Sequence, residues 1–431
     1  MKYFSTNGSV KPVSFQEAIF KGLPADNGLF MPEQIPELPS SFFDNISKMS
    51  LPEIGFEVIR PFVDGEIPDN DLKSILEDTL SFDVPLVKIK NGIYSLELFH
   101  GPTLAFKDVG ARFLARSLSY FTKKQDRKLT VLVATSGDTG SAVANGFYNV
   151  PNIEVIILYP SGKVSEFQEQ QMTTLGGNIT ALEVDGTFDD CQKLVKEAFL
   201  DEELRTLKNL TSANSINMAR LLPQAVYYFY AWAQLSMEEK KNAVFSIPSG
   251  NYGNLSAGLI AQKMGLPIKH FLACSNANDT VPNYLWNGKF EPKPSVATIS
   301  NAMDVGNPSN FVRMLHLFDG SHINMSDHIT GYAYTDESTR KTIQQTYALT
   351  GYVLDPHGAV GYMGLIDYQN SNANITGIVL ETAHPVKFNQ TVENEIGMEV
   401  PLPDHIEKTN HKKKSISFSK EFDKFKQFLK S

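Results

Sequence analysis

The sequence predicts an α/β fold of open parallel or mixed sheets, and two observations lead to this prediction. From about residue 83 onward, short runs of apolar and β-branched residues alternate with stretches of helical periodicity. The runs are apolar along their whole length, as expected for parallel strands that helices cover on both faces. The predicted strands are Leu129–Ala134, Glu154–Tyr159, Ile179–Val184, Ala243–Ile247, Ile268–Ala273 and Ile375–Leu380.

The chain divides by sequence texture into three segments, at residues 1–82, 83–400 and 401–431. The first is a leading module, the second holds two α/β units, and the third is a tail that ends in a helix. One long helical pattern in the second segment is expected to link its two units. The predicted helices are Ser14–Lys21, Leu51–Val63, Asp69–Leu80, Glu166–Leu175, Asp189–Phe199, Asn214–Leu235, Leu255–Met264 and Lys420–Lys430.

Composition restricts the class of protein. Of 431 residues, 42% are hydrophobic and 20% are charged, which is typical of a globular protein with a large core. The net charge of −9 disfavours nucleic acid or an acidic membrane as a general partner, and the basic run Thr409–Lys414 is interpreted as a solvated turn. The two cysteines, Cys191 and Cys274, exclude a disulfide scaffold and lack metal-ligand spacing, so no metal is expected. No signal peptide or membrane-spanning stretch is recognisable, and the predicted location is the cytoplasm.

The first candidate site follows the strand Leu129–Ala134. The loop that comes next reads Thr135-Ser136-Gly137-Asp138-Thr139-Gly140 and leads into a helix of small residues. Glycines and hydroxyls at a helix N-terminus offer free backbone N–H groups and the positive end of the helix dipole. We therefore interpret the loop as an anion site for a carboxylate or a phosphate, with an ordinary capped turn as the alternative.

A second loop of the same kind follows the strand Ala243–Ile247. It reads Pro248-Ser249-Gly250-Asn251-Tyr252-Gly253-Asn254 and opens the next helix. Its glycines allow close backbone approach, and it matches neither the dinucleotide nor the P-loop pattern. Two anion loops in one chain favour a ligand with more than one anionic group.

Two further features carry reactive side chains. In Glu97-Leu98-Phe99-His100-Gly101-Pro102-Thr103-Leu104-Ala105-Phe106-Lys107-Asp108, the lysine has apolar neighbours and stands at the start of a predicted helix. A desolvated lysine is suited to Schiff-base chemistry, although a lone lysine is far more often a surface charge. After the last predicted strand, Thr382 is either a partner for a ring nitrogen or a helix cap.

These pieces, in this order, resemble the fold-type II pyridoxal phosphate (PLP) enzymes, and most closely the threonine synthase family with its N-terminal domain. The resemblance runs from residue 3 to about residue 390. It is carried by YFSTNGS, GLPADNGLFMP, ELFHGPTLAFKD, ATSGDTGSAVANGF, YPSGKVSEFQEQQM, NSINMARLLPQ, SGNYGN, NAMDVGNPSN and LETAHPVKF.

The resemblance implies a cofactor and a set of residues that bind it. Lys107 would hold PLP covalently and move protons during catalysis. The backbone of Gly250, Asn251, Tyr252, Gly253 and Asn254 would bind the cofactor phosphate. Thr382 would face the pyridine nitrogen, and Asp138 would lie near the phenolic oxygen.

The resemblance also implies the reaction of O-phospho-L-homoserine with water to give L-threonine and phosphate. Thr135, Ser136, Gly137 and Thr139 would bind the substrate carboxylate. The candidates for the substrate phosphate are Lys163, Ser165, Asn217 and Arg220. Ser165 also begins a capping box, and Asn217 and Arg220 lie three residues apart on one face of the predicted long helix.

Two alternative readings remain at this point. The chain could act as a related PLP-dependent lyase or synthase on phosphohomoserine or phosphoserine. It could also be a non-catalytic PLP-binding sensor of amino acids, although such a protein would be expected to lose part of the site. The sequence leaves the oligomeric state open, and His100 is read as a structural hydrogen-bonding histidine.

Overall fold

A computed structural model describes residues 1–123, 128–406 and 413–431 of the chain. Within these ranges the strands are β1 Tyr3–Ser5, β2 Phe30–Pro32, β3 Leu86–Lys90, β4 Ile93–Glu97, β5 Leu129–Ala134, β6 Ile153–Pro160, β7 Ile179–Val184, β8 Asn209–Ser212, β9 Ala243–Pro248, β10 His270–Ser275, β11 Ile329–Ala333, β12 Thr376–Glu381 and β13 Ser415–Phe418.

The α-helices of the same ranges are α1 Phe15–Lys21, α2 Ser40–Asn45, α3 Leu51–Val63, α4 Asp69–Thr79, α5 Lys107–Thr122, α6 Asp138–Phe147, α7 Glu166–Thr173, α8 Phe188–Leu200, α9 Glu202–Leu207, α10 Met218–Leu221, α11 Ala225–Ala233, α12 Met237–Lys240, α13 Gly253–Lys263, α14 Thr280–Asn287, α15 Phe311–Leu317, α16 His322–His328, α17 Asp336–Thr350, α18 Pro356–Ser371, α19 Asn389–Ile396 and α20 Phe422–Lys430. Short 3₁₀ turns are formed by Ile46–Lys48, Leu222–Gln224, Asn301–Met303 and Pro385–Phe388.

Two sheets organise the chain, and both confirm the predicted α/β class. One is a six-stranded mixed sheet in the order β11-β10-β9-β12-β4-β3, parallel except for β3. The other is a five-stranded parallel sheet in the order β13-β7-β6-β5-β8. The strands β5, β6, β9 and β12 are buried along almost their whole length, which explains why they read as continuous apolar runs.

The chain forms two compact units. Unit 1 comprises Met1, residues 32–106 and residues 221–403, and contains the mixed sheet. Unit 2 comprises residues 2–31, 107–220 and 404–431, and contains the parallel sheet. Each unit therefore contains residues from more than one of the three segments predicted at 1–82, 83–400 and 401–431. The bounds of these three segments stay a prediction. Among the described helices, none is long and apolar enough to cross a membrane.

Local sequence sets where many helices begin. In each of five helices the N-cap hydroxyl accepts the third backbone N–H, and the third side chain reaches back to the N-cap N–H. These capping boxes are Ser14/Glu17, Ser50/Glu53, Ser165/Gln168, Thr187/Asp190 and Ser236/Glu239. Ser165 was predicted as such a cap, and the structure confirms it.

The prediction of one long helix over Asn214–Leu235 is wrong. Residues 214–217 form a turn, α10 is one turn long, and a 3₁₀ turn separates it from α11. Pro223 lies in that 3₁₀ turn and has no N–H for a continuous helical ladder. The segment does connect the two units along the chain, since their boundary falls between Arg220 and Leu221.

The basic run Thr409–Lys414 falls mostly outside the described residues. Lys413 and Lys414 are described and are exposed, and Lys413 also pairs with two acids. Its amine lies 2.6 Å from Glu169 and 2.7 Å from Glu183. Lys413 thereby joins the tail to α7 and β7 within unit 2.

The terminal helix α20 tests how the tail contributes to stability. Phe425 is fully buried in a cluster with residues of β5, β6, β7 and α8. We expect Phe425→Ala to lower the free energy of unfolding by about 3–4 kcal/mol because a buried ring leaves a cavity. Urea unfolding monitored by circular dichroism measures this value, with the exposed Ile416→Ala as control. A loss below about 1 kcal/mol would show that α20 docks only weakly.

Candidate active site

Three neighbouring strands of the mixed sheet end at one edge. β12 is parallel to β9 on one side and to β4 on the other. Glu381, the last residue of β12, is in register with Glu97, the last residue of β4. The carboxyl ends of parallel strands are where α/β sheets bind ligands. The loops that begin at Leu98, Ser249 and Thr382, all singled out from the sequence, therefore leave the sheet together.

The loop from Ser249 to Asn254 is built to expose backbone N–H groups. Asn254 accepts from the hydroxyl of Ser249 at 2.6 Å and donates to the carbonyl of Pro248 at 2.9 Å. Tyr252 has φ of 57°, and its hydroxyl lies 2.6 Å from Ser275. At Gly250 a Cβ atom would lie 2.6 Å from the Cα of Met303. The loop is thus held by its side chains, while its N–H groups start α13 without intrahelical partners, which fits a phosphate.

Thr382 is tied by its backbone to the segment that leads to Lys107. The N–H of Phe106 donates to the carbonyl of Thr382 at 2.9 Å, and Ala105 forms a β-bridge with Ala383. Within the described part of the chain, the Thr382 hydroxyl has no hydrogen-bond partner. This hydroxyl at the strand end can meet a ring nitrogen. These bonds fix the backbone of Ala105 and Phe106, and Lys107 is the next residue in the chain.

Lys107 begins α5, as predicted, and pairs with an acid of the same unit. Its amine lies 3.7 Å from the carboxylate of Asp138, and its side chain is 16% exposed. Gln168 donates to the other oxygen of Asp138 at 2.9 Å and is itself fully buried. The arrangement places the amine of Lys107 beside a fixed carboxylate in a largely buried setting.

The loop before α6 has the form of an anion site. Thr135 is buried, and its hydroxyl accepts from the N–H groups of Gly137 at 2.9 Å and Gly140 at 2.8 Å. Thr135 therefore shapes the loop, and its contact with the substrate carboxylate stays a prediction. Ser136 and Thr139 are half-buried and remain accessible. Gly137 has φ of 134°, and a Cβ there would lie 2.4 Å from Gln168, so only glycine fits.

The four residues predicted for the substrate phosphate are placed differently from one another. Ser165 is half-buried at the N-cap of α7, and Lys163 is exposed just before it. Arg220 is buried, and its guanidinium donates to the carbonyl of Ala213. Lys163, Ser165 and Arg220 stay predictions.

Asn217, the fourth candidate, has a different environment from the other three. Its side-chain amide donates to the carbonyls of Ile19 and Ser212, each at 3.0 Å, and its oxygen accepts from Ala219 at 3.1 Å. The residue is fully buried. Asn217 uses its hydrogen-bonding groups to join α1 to the end of β8. Its contact with the substrate phosphate stays a prediction.

A buried acidic cluster beside Thr382 was missed from the sequence. Glu381 is fully buried, and one of its oxygens has no partner among the described residues. Burial, followed by the nearby Asp355 carboxylate, raises the pKa of Glu381 well above its usual value. Glu97, at the end of the adjacent strand, accepts from Tyr352 at 2.9 Å and contacts His100 at 2.8 Å. His100 therefore makes the structural hydrogen bond expected of it.

Sequence signals for the missed residues were weak. Glu381 stands beside Thr382 in a quoted motif, but only the contact with Asp355 shows that its carboxyl is buried among other acids. Gln168 was read as part of a capping box, and its second role, at Asp138, depends on a residue 30 positions away.

The fold and these residues define a class of enzyme. Residues 82–378 match the family model described as "Pyridoxal-phosphate dependent enzyme". This stretch contains the lysine, both glycine-rich loops and the carboxyl ends of β4 and β9. The chain is thus a PLP-dependent enzyme of the fold-type II class, and pyridoxal phosphate is its cofactor.

Further comparisons narrow the class to one family. Residues 2–80 match "Threonine synthase N terminus", and residues 358–429 match "Threonine synthase, C-terminal". Threonine synthase from Haemophilus influenzae is 47% identical over 95% of each chain. The crystal structure of threonine synthase from Escherichia coli superposes with a TM-score of 0.94 at 42% identity, covering 100% of this chain and 99% of that one. The PLP-bound threonine synthase from Brucella melitensis has a TM-score of 0.92 at 33% identity, with 100% and 99% covered.

The chain belongs to the threonine synthase family. This confirms the resemblance, including the N-terminal domain that distinguishes the family's longer members. The two alternatives, a related lyase or synthase and a non-catalytic sensor, are not favoured by these relatives.

The raised pKa of Glu381 gives a prediction about pH. A carboxyl whose folded pKa is raised stabilises the fold most below its unfolded pKa of about 4.3, and that stability is lost as pH rises toward the folded pKa. Glu381→Gln has the shape of the neutral acid and cannot ionise. We expect its free energy of unfolding, relative to the wild type, to increase by up to about 1.4 kcal/mol per pH unit between pH 5 and 8.

Urea unfolding at several pH values measures this difference, with the exposed Glu337→Gln as control. A pH-independent difference between Glu381→Gln and the wild type would contradict a raised pKa of Glu381.

Proposed function

We propose that this enzyme converts O-phospho-L-homoserine and water to L-threonine and phosphate, and that it does so in the cytoplasm. The observation that carries the proposal is the pairing of Lys107 with Asp138 at the start of α5, directly after a segment bound to Thr382. Family membership supports the reaction. The two buried, unbridged cysteines support the location.

The cofactor contacts follow from the groups that each element offers. Lys107 would attach the cofactor through its amine, and Asp138, which lies 3.7 Å from that amine, would be the acid near the phenolic oxygen. The N–H groups of residues 250–254 would bind the cofactor phosphate at the N-terminus of α13. The Thr382 hydroxyl would be a neutral partner for the pyridine nitrogen.

Pyridoxal phosphate, when bound, supplies an electron sink for negative charge on the substrate carbons. The protein then has to move protons and hold two anionic groups. The amine of Lys107 would act as the base that takes the proton from the α-carbon and then serves the β-carbon. Asp138 and Gln168 keep that amine oriented. Phosphate leaves from the γ-carbon and water adds at the β-carbon, so the products balance the substrates.

The two ends of the substrate are assigned to different loops. The accessible hydroxyls of Ser136 and Thr139 bind the carboxylate at the start of α6, and Gly137 gives the loop between them its shape. The N-cap region of α7, with Ser165 and Lys163, binds the substrate phosphate, and Arg220 adds positive charge. The hydroxyl of Thr135 holds the loop before α6, and Asn217 holds the segment that leads to Arg220, both through hydrogen bonds to the backbone.

Replacement of Lys107 tests the proposal. We expect Lys107→Ala to lower threonine and phosphate formation from O-phospho-L-homoserine by at least about 10³-fold, because a single residue anchors the cofactor and moves the protons. Phosphate release and amino-acid analysis measure both products. Lys196→Ala, an exposed lysine on α8, is the control and should retain wild-type turnover.

Two results would overturn this proposal. One is normal turnover by Lys107→Ala. The other is accumulation of 2-oxobutyrate without threonine by the wild-type enzyme, which would indicate a lyase instead.

A further inference from the structure

Three buried side chains of unit 1 connect the strand end that carries Thr382 to a 3₁₀ turn beside the loop assigned to the cofactor phosphate. One oxygen of Glu381 accepts from the N–H of Asp355 at 2.7 Å. The Asp355 carboxylate holds Nδ1 of His357, and Nε2 of His357 accepts from the N–H of Ala302 at 3.2 Å. The hydrogen bonds thus run from the strand end that carries Thr382 to the 3₁₀ turn Asn301–Met303.

That turn lies directly against the glycine-rich loop. A Cβ at Gly250 would lie 2.6 Å from the Cα of Met303 and 3.0 Å from the carbonyl oxygen of Ala302. The backbone at Gly250 therefore packs directly on the backbone of Ala302 and Met303, with no side chain between them. A displacement of the turn would move Gly250 as well.

His357 is oriented at both of its nitrogens. Because Nε2 accepts from Ala302, the ring hydrogen is on Nδ1 and points at Asp355. The other oxygen of Asp355 accepts from Gly358 at 2.7 Å and caps α18, which fixes the carboxylate. The ring of Phe388 packs on the imidazole at 4.8 Å between centroids. A histidine that only filled space would not need two oriented hydrogen bonds.

We propose that His357, held by Asp355 and Glu381, is a positioning residue that sets the phosphate-binding loop at Gly250 relative to Thr382. It acts through the Ala302 N–H and touches neither cofactor nor substrate. The proposal rests on the assignment of residues 250–254 to the cofactor phosphate.

Two substitutions separate this role from simple packing. The amide of glutamine reaches about as far as Nε2, so His357→Gln can still accept from Ala302. The amide of asparagine reaches only about as far as Nδ1, so His357→Asn keeps the bond to Asp355 and loses the one to Ala302. The matched controls are His270→Gln and His270→Asn, because His270 also makes a hydrogen bond at Nε2, to Thr330 at 2.8 Å, at the far side of the same sheet.

The measurements use the holoenzyme. The ³¹P resonance of bound PLP reports the surroundings of its phosphate. The rate at which PLP is released, measured with an excess of an apo-protein that captures free PLP, reports how firmly the enzyme holds it. For His357→Asn we expect a shifted ³¹P resonance and release about three- to tenfold faster, the effect of one lost hydrogen bond. His357→Gln should resemble the wild type, and both His270 variants should leave resonance and release rate unchanged.

The proposal is overturned if His357→Asn leaves the ³¹P resonance and release rate unchanged, or if His357→Gln and His357→Asn behave alike. If His357→Asn does not fold, Asp355→Asn replaces it, since a neutral amide holds Nδ1 more weakly and should shift the same resonance. A wild-type holoenzyme whose ³¹P resonance equals that of free PLP would instead contradict the assignment of the phosphate loop.

Discussion

The parallel pairing of β12 with both β9 and β4 is the constraint on which the rest of the site depends. It brings three strand ends to one edge of the mixed sheet, although the segments are far apart in the sequence. From that edge the chain places a glycine-rich loop, a threonine hydroxyl and the segment leading to Lys107. The hydrogen bond from Phe106 to Thr382 then fixes the residue that precedes Lys107 at this edge of the sheet.

Buried polar groups in this chain serve the loops more often than they serve as ligands. The side-chain amides of Asn217 and Asn254 donate to backbone carbonyls, and the hydroxyl of Thr135 accepts from two backbone N–H groups. Such partners satisfy groups that would otherwise be costly to bury, and they leave the loops rigid. The backbone N–H groups and the half-buried hydroxyls remain for the ligands. A polar residue in a functional motif is therefore not necessarily a contact residue.

The sequence predicted most closely the features that depend on neighbours along the chain. β5 and β7 were predicted with the observed ends because buried parallel strands read as continuous apolar runs. Ser165 was predicted as a cap from its partner three residues later. β4, β8 and β13 were missed, since they are short and partly polar, and β13 gains its strand character only by pairing with β7. The long helix failed because Pro223 and the turn at Asn217 outweigh helical periodicity. Glu381 and His357 could not be found because their roles arise from contacts between distant segments.

The central claim is that Lys107 carries the cofactor, and chemical reduction tests it most directly. Borohydride treatment of the purified holoenzyme fixes PLP to the amine that holds it, and peptide mass spectrometry locates the modified residue. The account predicts a single phosphopyridoxyl group, on the peptide that contains Lys107. A label on another lysine, such as the buried Lys387 or the exposed Lys163, would contradict it.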